Sequence, residues 1–472
     1  MRDVELLGVF LSDFFLILPP QEISYATKVK NLFMPKWFLF VFYQAVKSLT
    51  RFATRVYFAS IVVRPKSARQ IARLKPTILV SNHPNTLIDA IFVASRVQPM
   101  VHFLANVSLF RHPFLNWFLN TFYCIPIARP QDAGGQPLAN ESAFDRATDF
   151  LAAGGCLYIA AEGTSFMERR LRPLKTGAAR IAFDAEQRNG FRLGLQIIPV
   201  GINYSAANEF RSRVVMNIGS PIQIADYQRL YEKNPYDAAH ELTNVLEQKM
   251  QQLLIHTNNA AEEATLTRIE KMLESEQSLG AARSYERSQK ILAFMRIFEK
   301  ESPEQCQYFR RQLDAFHFQL KKNRLADQTI FDASQKKSLP KSLFQSLLWI
   351  IGFPIFAWGW LHNALPTFFA ALTAKKIRPY IGYVSSIKLL SGILLFTFSY
   401  SLEFCLAKYF LSNYFFIAVY MFSLPFFAWF AWEYLQFSMR VFSRWRVVAL
   451  QSALCKKLTQ ERLEIRQQLF SN

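Results

Sequence analysis

Cysteine is scarce in this sequence, and the few cysteines are far apart. The five cysteines are Cys124, Cys156, Cys306, Cys405 and Cys455. No CxxC pair occurs among them. Structural zinc sites and disulfide frameworks need closely or regularly spaced cysteines, so this spacing disfavours both and is typical of a reducing compartment. Zinc-finger spacing and an aromatic RNA-binding signature are missing as well, which argues against a nucleic-acid partner.

Acidic residues are also few relative to basic ones. The chain has 35 Asp and Glu against 55 Lys and Arg, giving a formal net charge of +20. Such a surplus favours anionic partners, and without a nucleic-acid module these are anionic lipids or phosphorylated substrates. A secretory signal peptide is not expected, because Asp3 and Glu5 stand where a basic leader would be and no A-x-A cleavage signal follows.

Apolar residues are abundant but unevenly distributed. Hydrophobic residues make up 51% of the chain, and they concentrate before residue 65 and between residues 343 and 437. The run 4–18 is too short to span a bilayer. In 37–63, Lys47, Arg51 and Arg55 recur every four residues, which predicts an interfacial helix with its cations towards lipid headgroups. A core helix with one solvated edge is the alternative.

The middle of the chain alternates short apolar runs with amphipathic stretches. The predicted strands are 76–82, 101–106, 124–129, 156–162, 195–204 and 214–220, and the predicted helices are 86–97, 108–120, 138–153 and 177–188. Such alternation predicts an α/β domain with a mostly parallel sheet.

The remainder of the chain is predicted to be helical. We expect N-terminal membrane-interface helices at 1–65, the α/β domain at 66–235, a helical connector at 236–340, a membrane region at 341–440 and a basic tail at 441–472. Within the membrane region, the block 343–373 contains Pro354 and Pro366 and is predicted to form a re-entrant hairpin. The runs 383–408 and 414–437 are each long enough to span.

Basic residues flank the apolar runs unevenly. KKIR at 375–378 and RVFSRWR at 440–446 are basic, whereas the turn at 411–413 has no Lys or Arg. The positive-inside rule therefore predicts an integral membrane protein whose α/β domain and tail are cytosolic. Glu403 and Glu433 lie inside or near the ends of the spans, where charge is costly. Three interpretations of these glutamates stay open. They could pair with Lys388 or Lys408, they could lie near the membrane interface, or they could have a functional role.

The first motif that carries chemistry is NHPNTLIDA at 82–90. It follows a predicted strand and opens a predicted helix, which is where functional groups gather in α/β sheets. His83 could take a proton from an alcohol, and Asp89 could fold back onto the other ring nitrogen. The alternative is an Asn-Pro-rich turn whose aspartate caps a helix.

Three further motifs follow in order along the chain. Arg129 comes just after a predicted strand, where a guanidinium could hold a phosphate, although a surface arginine is as simple an explanation. Glu162, Gly163, Thr164 and Ser165 form a small-residue turn, and Arg169, Arg170, Arg172 and Lys175 follow it. Ser165 is not expected to be a nucleophile, since no G-x-S-x-G surrounds it. IPVG at 198–201 also fits a buried strand.

Together these four motifs resemble the glycerolipid acyltransferase family, which contains PlsC-like lysophosphatidate and glycerol-3-phosphate acyltransferases. The resemblance covers about 75–225 and extends to IGSPI at 218–222 and PLKTGAAR at 173–180. Two features depart from the common pattern. Five residues rather than four separate His83 from Asp89, as in a subgroup that includes yeast glycerol-3-phosphate and dihydroxyacetone-phosphate acyltransferases, and Ala161 replaces the usual proline.

The resemblance implies an O-acyltransferase that acts without an acyl-enzyme, a bound cofactor or a metal. His83 and Asp89 would be catalytic, with acyl-CoA or acyl-carrier protein as the co-substrate. The implied acceptor-binding residues are Arg129, Glu162, Gly163, Thr164 and Ser165, with further contacts to the phosphate or the pocket wall from Asn82, Lys175, Arg180 and Pro199. The implied partners are membrane lipids, the acyl thioester, the phosphorylated glycerol and, with one of the two donors, acyl carrier protein.

The expected reaction is acylation of 1-acyl-sn-glycerol-3-phosphate in phospholipid synthesis. Acylation of glycerol-3-phosphate or dihydroxyacetone phosphate is the first alternative, and another lysolipid acceptor such as a lyso-aminolipid is the second. A non-catalytic membrane scaffold or transporter with a degenerate acyltransferase domain is an alternative of another class. The intact His83, Asp89, Arg129 and Glu162 argue against that degeneracy.

Overall fold

The computed structural model describes residues 35–65, 75–128, 140–334, 339–377, 381–449 and 452–470. The apolar run 4–18 and Arg129 lie outside these ranges. The chain divides into two compact units. The first joins Met1–His256 to Thr373–Leu389, and the second joins Thr257–Leu372 to Leu390–Asn472.

The first unit is built on one mixed sheet, which has eight strands within the described residues. The strands are β1 (Ser60–Arg64), β2 (Thr77–Ser81), β3 (Val101–Asn106), β4 (Cys124–Ile127), β5 (Cys156–Ala160), β6 (Gln196–Tyr204), β7 (Arg213–Ile218) and β8 (Ile222–Gln223). Their order is β1-β7-β6-β2-β5-β3-β4, with β8 beside β6. The pairs of β6 with β7 and β8 are antiparallel, and the other pairs are parallel. The predicted mostly parallel α/β fold is confirmed.

Seven helices of the first unit lie in the described residues before residue 257. They are α1 (Lys36–Tyr57), α2 (Leu87–Arg96), α3 (Pro113–Thr121), α4 (Glu141–Ala152), α5 (Gly177–Arg188), α6 (Gln228–Lys233) and α7 (Pro235–Gln252). The aliphatic runs of β2, β5 and β6 are almost wholly buried, and α4, α5 and α7 pack on one of their faces. Because side chains alternate along a strand, Leu79 and Ser81 point to the opposite face from Ile78 and Val80. The buried central strands bring the ends of β2, β5 and β6 together.

The stretch 37–63 is not one helix, contrary to the prediction. Helix α1 ends at Tyr57, and residues 60–64 form β1, which pairs in parallel with β7 at the edge of the sheet. The apolar, β-branched Ile61, Val62 and Val63 fit a strand better than a helix, and β7 offers them an unpaired edge. The sheet therefore begins before residue 66.

Two of the three cations of α1, Lys47 and Arg51, have partners in the protein that the prediction did not foresee. Lys47 is buried and donates from Nζ to the carbonyl oxygen of Gln98 at 3.1 Å, and Arg51 Nε donates to that of Ser95 at 2.6 Å. The carbonyls at the end of a helix lack intrahelical partners and carry partial negative charge, so they attract these cations to the end of α2. The exposed residues of α1 include Arg51 and Arg55 and a large apolar set, Trp37, Phe40, Val41, Val46, Leu49, Phe52 and Val56.

The second unit contains the connector helices and most of the apolar helices. The connector has α8 (Ala260–Glu276), α9 (Ala281–Glu301), α10 (Pro303–Lys322) and α11 (Asp327–Ser334). The apolar helices are α12 (Leu339–Lys376), α13 (Val384–Phe410) and α14 (Tyr414–Ala449), and α15 (Ser452–Phe470) follows them. Within the described residues, three stretches, Ser342–Lys376, Ile381–Phe410 and Tyr414–Arg446, are long and apolar enough to cross a membrane.

The predicted re-entrant hairpin at 343–373 is wrong. Helix α12 is continuous and holds Pro354 and Pro366 inside it. A proline removes one backbone hydrogen bond, and an apolar helix with neighbours tolerates that loss. Helix α14 is such a neighbour, since it packs closely on α12 at Gly359, where an added Cβ would meet the carbonyl oxygen of Phe427. A continuous helix in place of a hairpin removes the parity argument that put the α/β domain and the tail on the same side.

Glu403 has different partners from the lysines considered for it. Its carboxylate lies 2.9 Å from Nδ1 of His362 in α12 and accepts a hydrogen bond from the hydroxyl of Tyr420 in α14 at 2.6 Å. Lys408 is five positions further along α13, and helical side chains meet at spacings of three or four. The carboxylate therefore joins three apolar helices through His362 and Tyr420.

Candidate active site

His83 and Asp89 come together at the carboxyl end of β2. His83 lies in the loop after the strand, and Asp89 lies in the first turn of α2. Nδ1 of His83 is 3.2 Å from Oδ2 of Asp89, with side-chain exposures of 20% and 0%. A substrate can therefore reach the imidazole while the carboxylate behind it is shielded from solvent, which is the arrangement a general base and its orienting group require.

Asp89 is held by donors on both of its oxygens. Oδ2 accepts the backbone N–H of Asn85 at 2.7 Å, and Oδ1 accepts the hydroxyl of Tyr204, at the end of β6, at 2.8 Å. Burial, followed by the charge of Asp89, raises the pKa of Tyr204 well above its usual value, so the phenol stays a donor. Two donors, one on each oxygen, hold the carboxylate in one orientation.

The five-residue gap between His83 and Asp89 is accommodated by a tight turn at Asn85 and Thr86. Asn85 is buried, and its Nδ2 donates to the carbonyl oxygen of Ala207 at 2.7 Å. Thr86 has a φ of 44°, a conformation that β-branched residues rarely adopt. The turn lets the chain double back so that the first turn of α2 faces the imidazole.

Glu162 links two loops of the site. Its Oε1 accepts the N–H of His83 at 2.8 Å, and its Oε2 accepts the N–H of Arg172 at 3.1 Å. Burial raises the pKa of Glu162, and the two amide donors partly offset that effect. The next residue, Gly163, has a φ of 75°, which glycine adopts without strain. In this geometry Glu162 positions the catalytic loop, in addition to any contact with substrate.

The cations after Glu162 lie next to this turn. Arg170 and Arg172 both bind Glu168, at 2.5 and 2.8 Å, and the guanidinium of Arg172 lies over the ring of Phe166. Lys175 is exposed, and its Cγ lies 3.6 Å from the point where a Cβ of Gly163 would be. One carboxylate shared by two guanidiniums leaves a surplus of positive charge on the loop that follows Gly163, which favours an anionic ligand such as a phosphate.

The other predicted contacts have different surroundings. Asn82 exchanges two hydrogen bonds with the backbone of Ile202, at 2.9 and 2.8 Å, so its amide ties β2 to β6. Pro199 is buried within β6, beside Val80. Arg180 lies over the ring of Phe144, on α4. These residues support the site from behind or from the side.

Thr164 and Ser165 follow Gly163 and are partly buried. Ser165 Oγ is buried without a hydrogen-bond partner among the described residues. Within those same residues, no group of three or more His, Cys, Asp or Glu side chains is arranged to hold a metal ion.

Tyr204 is the functional residue that sequence analysis missed. It is 115 positions from Asp89 and ends a strand whose other residues are mostly apolar. The sequence feature that could have identified Tyr204 is its position at the C-terminal end of a predicted strand, where the functional groups of α/β sheets gather.

Replacing Tyr204 with phenylalanine is expected to lower kcat for acyl transfer by about 10-fold, since hydrogen bonds to charged groups contribute about 1.5–3 kcal/mol. The ring and its contact with Phe58 are retained, so the change removes only the hydroxyl. Steady-state kinetics on the solubilised protein measures the effect. Tyr236→Phe, at an exposed tyrosine of α7, is the matched control. Equal kcat values for the two variants would count against the orienting role.

Part of the chain is similar to known proteins. Residues 62–203 match the family model described as Acyltransferase. Glycerol-3-phosphate O-acyltransferase 2 of Saccharomyces cerevisiae is 30% identical over 132 residues, which cover 28% of this chain and 17% of the relative. Glycerol-3-phosphate O-acyltransferase 1 of the same yeast is 31% identical over 115 residues, 24% of this chain and 15% of the relative. An uncharacterized acyltransferase of Schizosaccharomyces pombe is 37% identical over 83 residues, 17% of this chain and 12% of the relative.

The matched regions span less than a fifth of the length of these relatives. The crystal structure of the 1-acyl-sn-glycerophosphate (LPA) acyltransferase PlsC from Thermotoga maritima aligns with a TM-score of 0.34 and 17% identity. That alignment covers 52% of this chain and 89% of the other. The score is too low to equate the two folds.

Proposed function

We propose that this chain, whose residues 62–203 form a domain of the glycerolipid acyltransferase family, transfers a fatty acyl group from a thioester to a phosphorylated glycerol. The observation that carries the proposal is the reachable imidazole of His83 with the buried carboxylate of Asp89 at its Nδ1. A neutral imidazole oriented in this way can accept a proton from an alcohol, which is the step that turns an acceptor hydroxyl into a nucleophile.

The reaction then needs one base and no covalent enzyme intermediate. His83 takes the proton of the glycerol hydroxyl, and Asp89 stabilises the imidazolium that forms. The oxygen attacks the thioester carbonyl, the C–S bond breaks, and His83 returns the proton to the leaving thiolate. Glu162 keeps the loop of His83 in place through the backbone N–H of that residue.

Positive charge on the loop that follows Gly163 supports a phosphorylated acceptor. Arg170, Arg172 and Lys175 follow the turn at Gly163, and Arg129 is the further cation that the family resemblance assigns to the phosphate. A guanidinium binds a phosphate through two parallel hydrogen bonds, which fixes the orientation of the acceptor as well as its affinity.

Glycerol-3-phosphate is the acceptor that the observations support best. Two relatives at 30% and 31% identity are named glycerol-3-phosphate O-acyltransferases, and the five-residue gap between His83 and Asp89 resembles the same subgroup. 1-Acyl-sn-glycerol-3-phosphate is the second candidate. The exposed apolar side chains of α1 and α3, among them Phe52 and Trp117, suit an acceptor that already carries an acyl chain.

The proposed location is a membrane, with the catalytic domain on the cytosolic face. Three helices are long and apolar enough to span. Lys375 and Lys376, at the end of the first of them, belong to the same compact unit as the sheet, and basic residues beside spans favour the cytosolic side. Cysteine accessibility labelling at exposed sites of the catalytic domain in sealed vesicles tests this orientation.

Acyl transfer by membranes containing the chain tests the proposal. The donors are radiolabelled acyl-CoA and acyl-carrier protein, and the acceptors are glycerol-3-phosphate, dihydroxyacetone phosphate, 1-acyl-sn-glycerol-3-phosphate and a lyso-aminolipid. We expect labelled 1-acylglycerol-3-phosphate. Product from the lysophosphatidate alone would support the second candidate. No transfer to any acceptor from either donor would overturn the enzyme assignment in favour of a non-catalytic scaffold.

Replacing Arg129 with alanine is expected to raise the KM for the phosphorylated acceptor by about 10-fold or more, because hydrogen bonds to charged groups contribute about 1.5–3 kcal/mol. We expect a smaller change in kcat, since the phosphate is bound equally in the ground and transition states. Initial rates over a range of acceptor concentrations separate the two constants. Arg192→Ala, at an exposed arginine of the same unit, is the control. An unchanged KM would contradict the phosphate role.

A further inference from the structure

Residues 382–386, between the apolar helices α12 and α13, lie against the turn that carries His83 and Asp89. We call them the junction segment. They belong to the same compact unit as the sheet. Ser385 and Ser386 stand in the first turn of α13, with exposures of 0% and 4%. Two buried hydroxyls at the start of an apolar helix need hydrogen-bond partners, and the catalytic turn provides them.

Thr86 makes the central contacts with the junction segment. Its hydroxyl donates to the carbonyl oxygen of Gly382 at 3.1 Å and lies 2.8 Å from the hydroxyl of Ser386. Because the Thr86 hydrogen is used on Gly382, Ser386 is the donor in the 2.8 Å contact, and its hydroxyl oxygen lies 3.5 Å from the carbonyl oxygen of Asn85. These contacts join positions about 300 residues apart and surround the peptide unit between Asn85 and Thr86.

Ser385 secures the other side of the turn. Its hydroxyl donates to the carbonyl oxygen of Ala207 at 2.9 Å, and the same oxygen accepts Nδ2 of Asn85 at 2.7 Å. The start of α13 and the side chain of Asn85 therefore share one acceptor. The junction segment is itself anchored, since Ile387 packs on Ala374 and Ile377 at the end of α12.

These contacts act on a strained part of the backbone. Thr86 has a φ of 44°, and such a conformation persists only where its surroundings hold it. The N–H of Asn85 donates to Oδ2 of Asp89, so a rotation of this turn would move the carboxylate away from the imidazole of His83. The hydroxyls of the junction segment oppose that rotation.

We propose that the junction segment is a positioning element for the catalytic pair, through Thr86, Ser385 and Ser386. The inference rests on the proposed acyl transfer. Neither serine contacts His83 or Asp89 directly, so they act through the turn and not on the substrate. The competence of the site then depends on the end of α12 and the start of α13 being in place.

The test measures kcat and both KM values of the full-length protein in membranes or detergent, per amount of folded protein. The double variant Ser385→Ala/Ser386→Ala is expected to lower kcat by about 10-fold or more, since each hydrogen bond contributes about 0.5–1.5 kcal/mol. We expect the KM values to change less than about 2-fold, because substrate contacts are untouched. Ser401→Ala, at an exposed serine of the same helix, should keep the wild-type kcat.

A second pair of variants isolates the hydroxyl of Thr86. Thr86→Val keeps the branched shape and removes the hydroxyl, and it should lower kcat about as much as the serine variants. Thr86→Ser keeps the hydroxyl and should restore most of the activity. If Thr86→Ser is as impaired as Thr86→Val, or if the double serine variant matches Ser401→Ala, the inference is overturned. A wild-type protein without acyl transfer would overturn the proposed function instead.

Discussion

His83→Ala is expected to lower kcat for acyl transfer by about 10²–10⁴-fold, the range that a general base contributes. The imidazole is the reachable group of the pair, and the carboxylate of Asp89 behind it is wholly buried. Without the ring, the proton acceptor of the proposed mechanism is missing. The KM values should change little, because the imidazole acts mainly on the transition state.

The measurement is initial-rate acyl transfer with the donor and acceptor that the wild-type protein uses. His240→Ala, at an exposed histidine of α7, is the matched control and should retain the wild-type kcat. The change at His83 removes no backbone contact, so its N–H should still bind Glu162 and the fold should be kept. A His83→Ala protein with full activity would disprove the mechanism.

Asp89→Asn is expected to lower kcat by about 10³–10⁴-fold, the effect of neutralising a buried aspartate behind a catalytic histidine. The carboxylate accepts the N–H of Asn85 on one oxygen and the hydroxyl of Tyr204 on the other. An amide can accept on only one side, and its NH2 group then faces a donor on the other. The imidazolium also loses its counter-charge in the buried site.

The Asp89→Asn protein should be assayed beside Asp149→Asn, which changes an exposed aspartate of α4. Thermal unfolding of both variants reports whether the loss of activity exceeds the loss of folded protein. Retention of more than about a tenth of the wild-type kcat would contradict the role of Asp89, given the 10³–10⁴-fold effect expected of such a group.

The strands of the catalytic domain were predictable because their cores are short aliphatic runs between polar, helical stretches. The predicted 76–82, 101–106 and 195–204 correspond closely to Thr77–Ser81, Val101–Asn106 and Gln196–Tyr204. The edge strand Ser60–Arg64 was not predicted, because it follows a helix without a polar break and is stabilised by its partner β7. A strand that is stabilised by a partner about 150 residues away in the sequence cannot be recognised from its own residues.

The two corrected membrane predictions have a related cause. The prolines were expected to break a helix, and the basic residues were expected to face lipid headgroups. In the structure, an apolar helix continues through Pro354 and Pro366, and Lys47 and Arg51 bind carbonyls at the end of α2. Each outcome depends on which element lies alongside, and sequence spacing alone does not contain that information.

By itself the sequence determined the mostly parallel α/β domain and brought His83 near Asp89, because a turn between a strand and a helix is a local structure. Only the tertiary structure decided what orients that pair. Tyr204, Glu162 and the junction segment reach it from positions 79 to 300 residues away along the chain. These contacts form because buried polar groups need hydrogen-bond partners, which the packing of the folded chain supplies. The hydrophobic periodicity of the sequence does not predict which residues will meet.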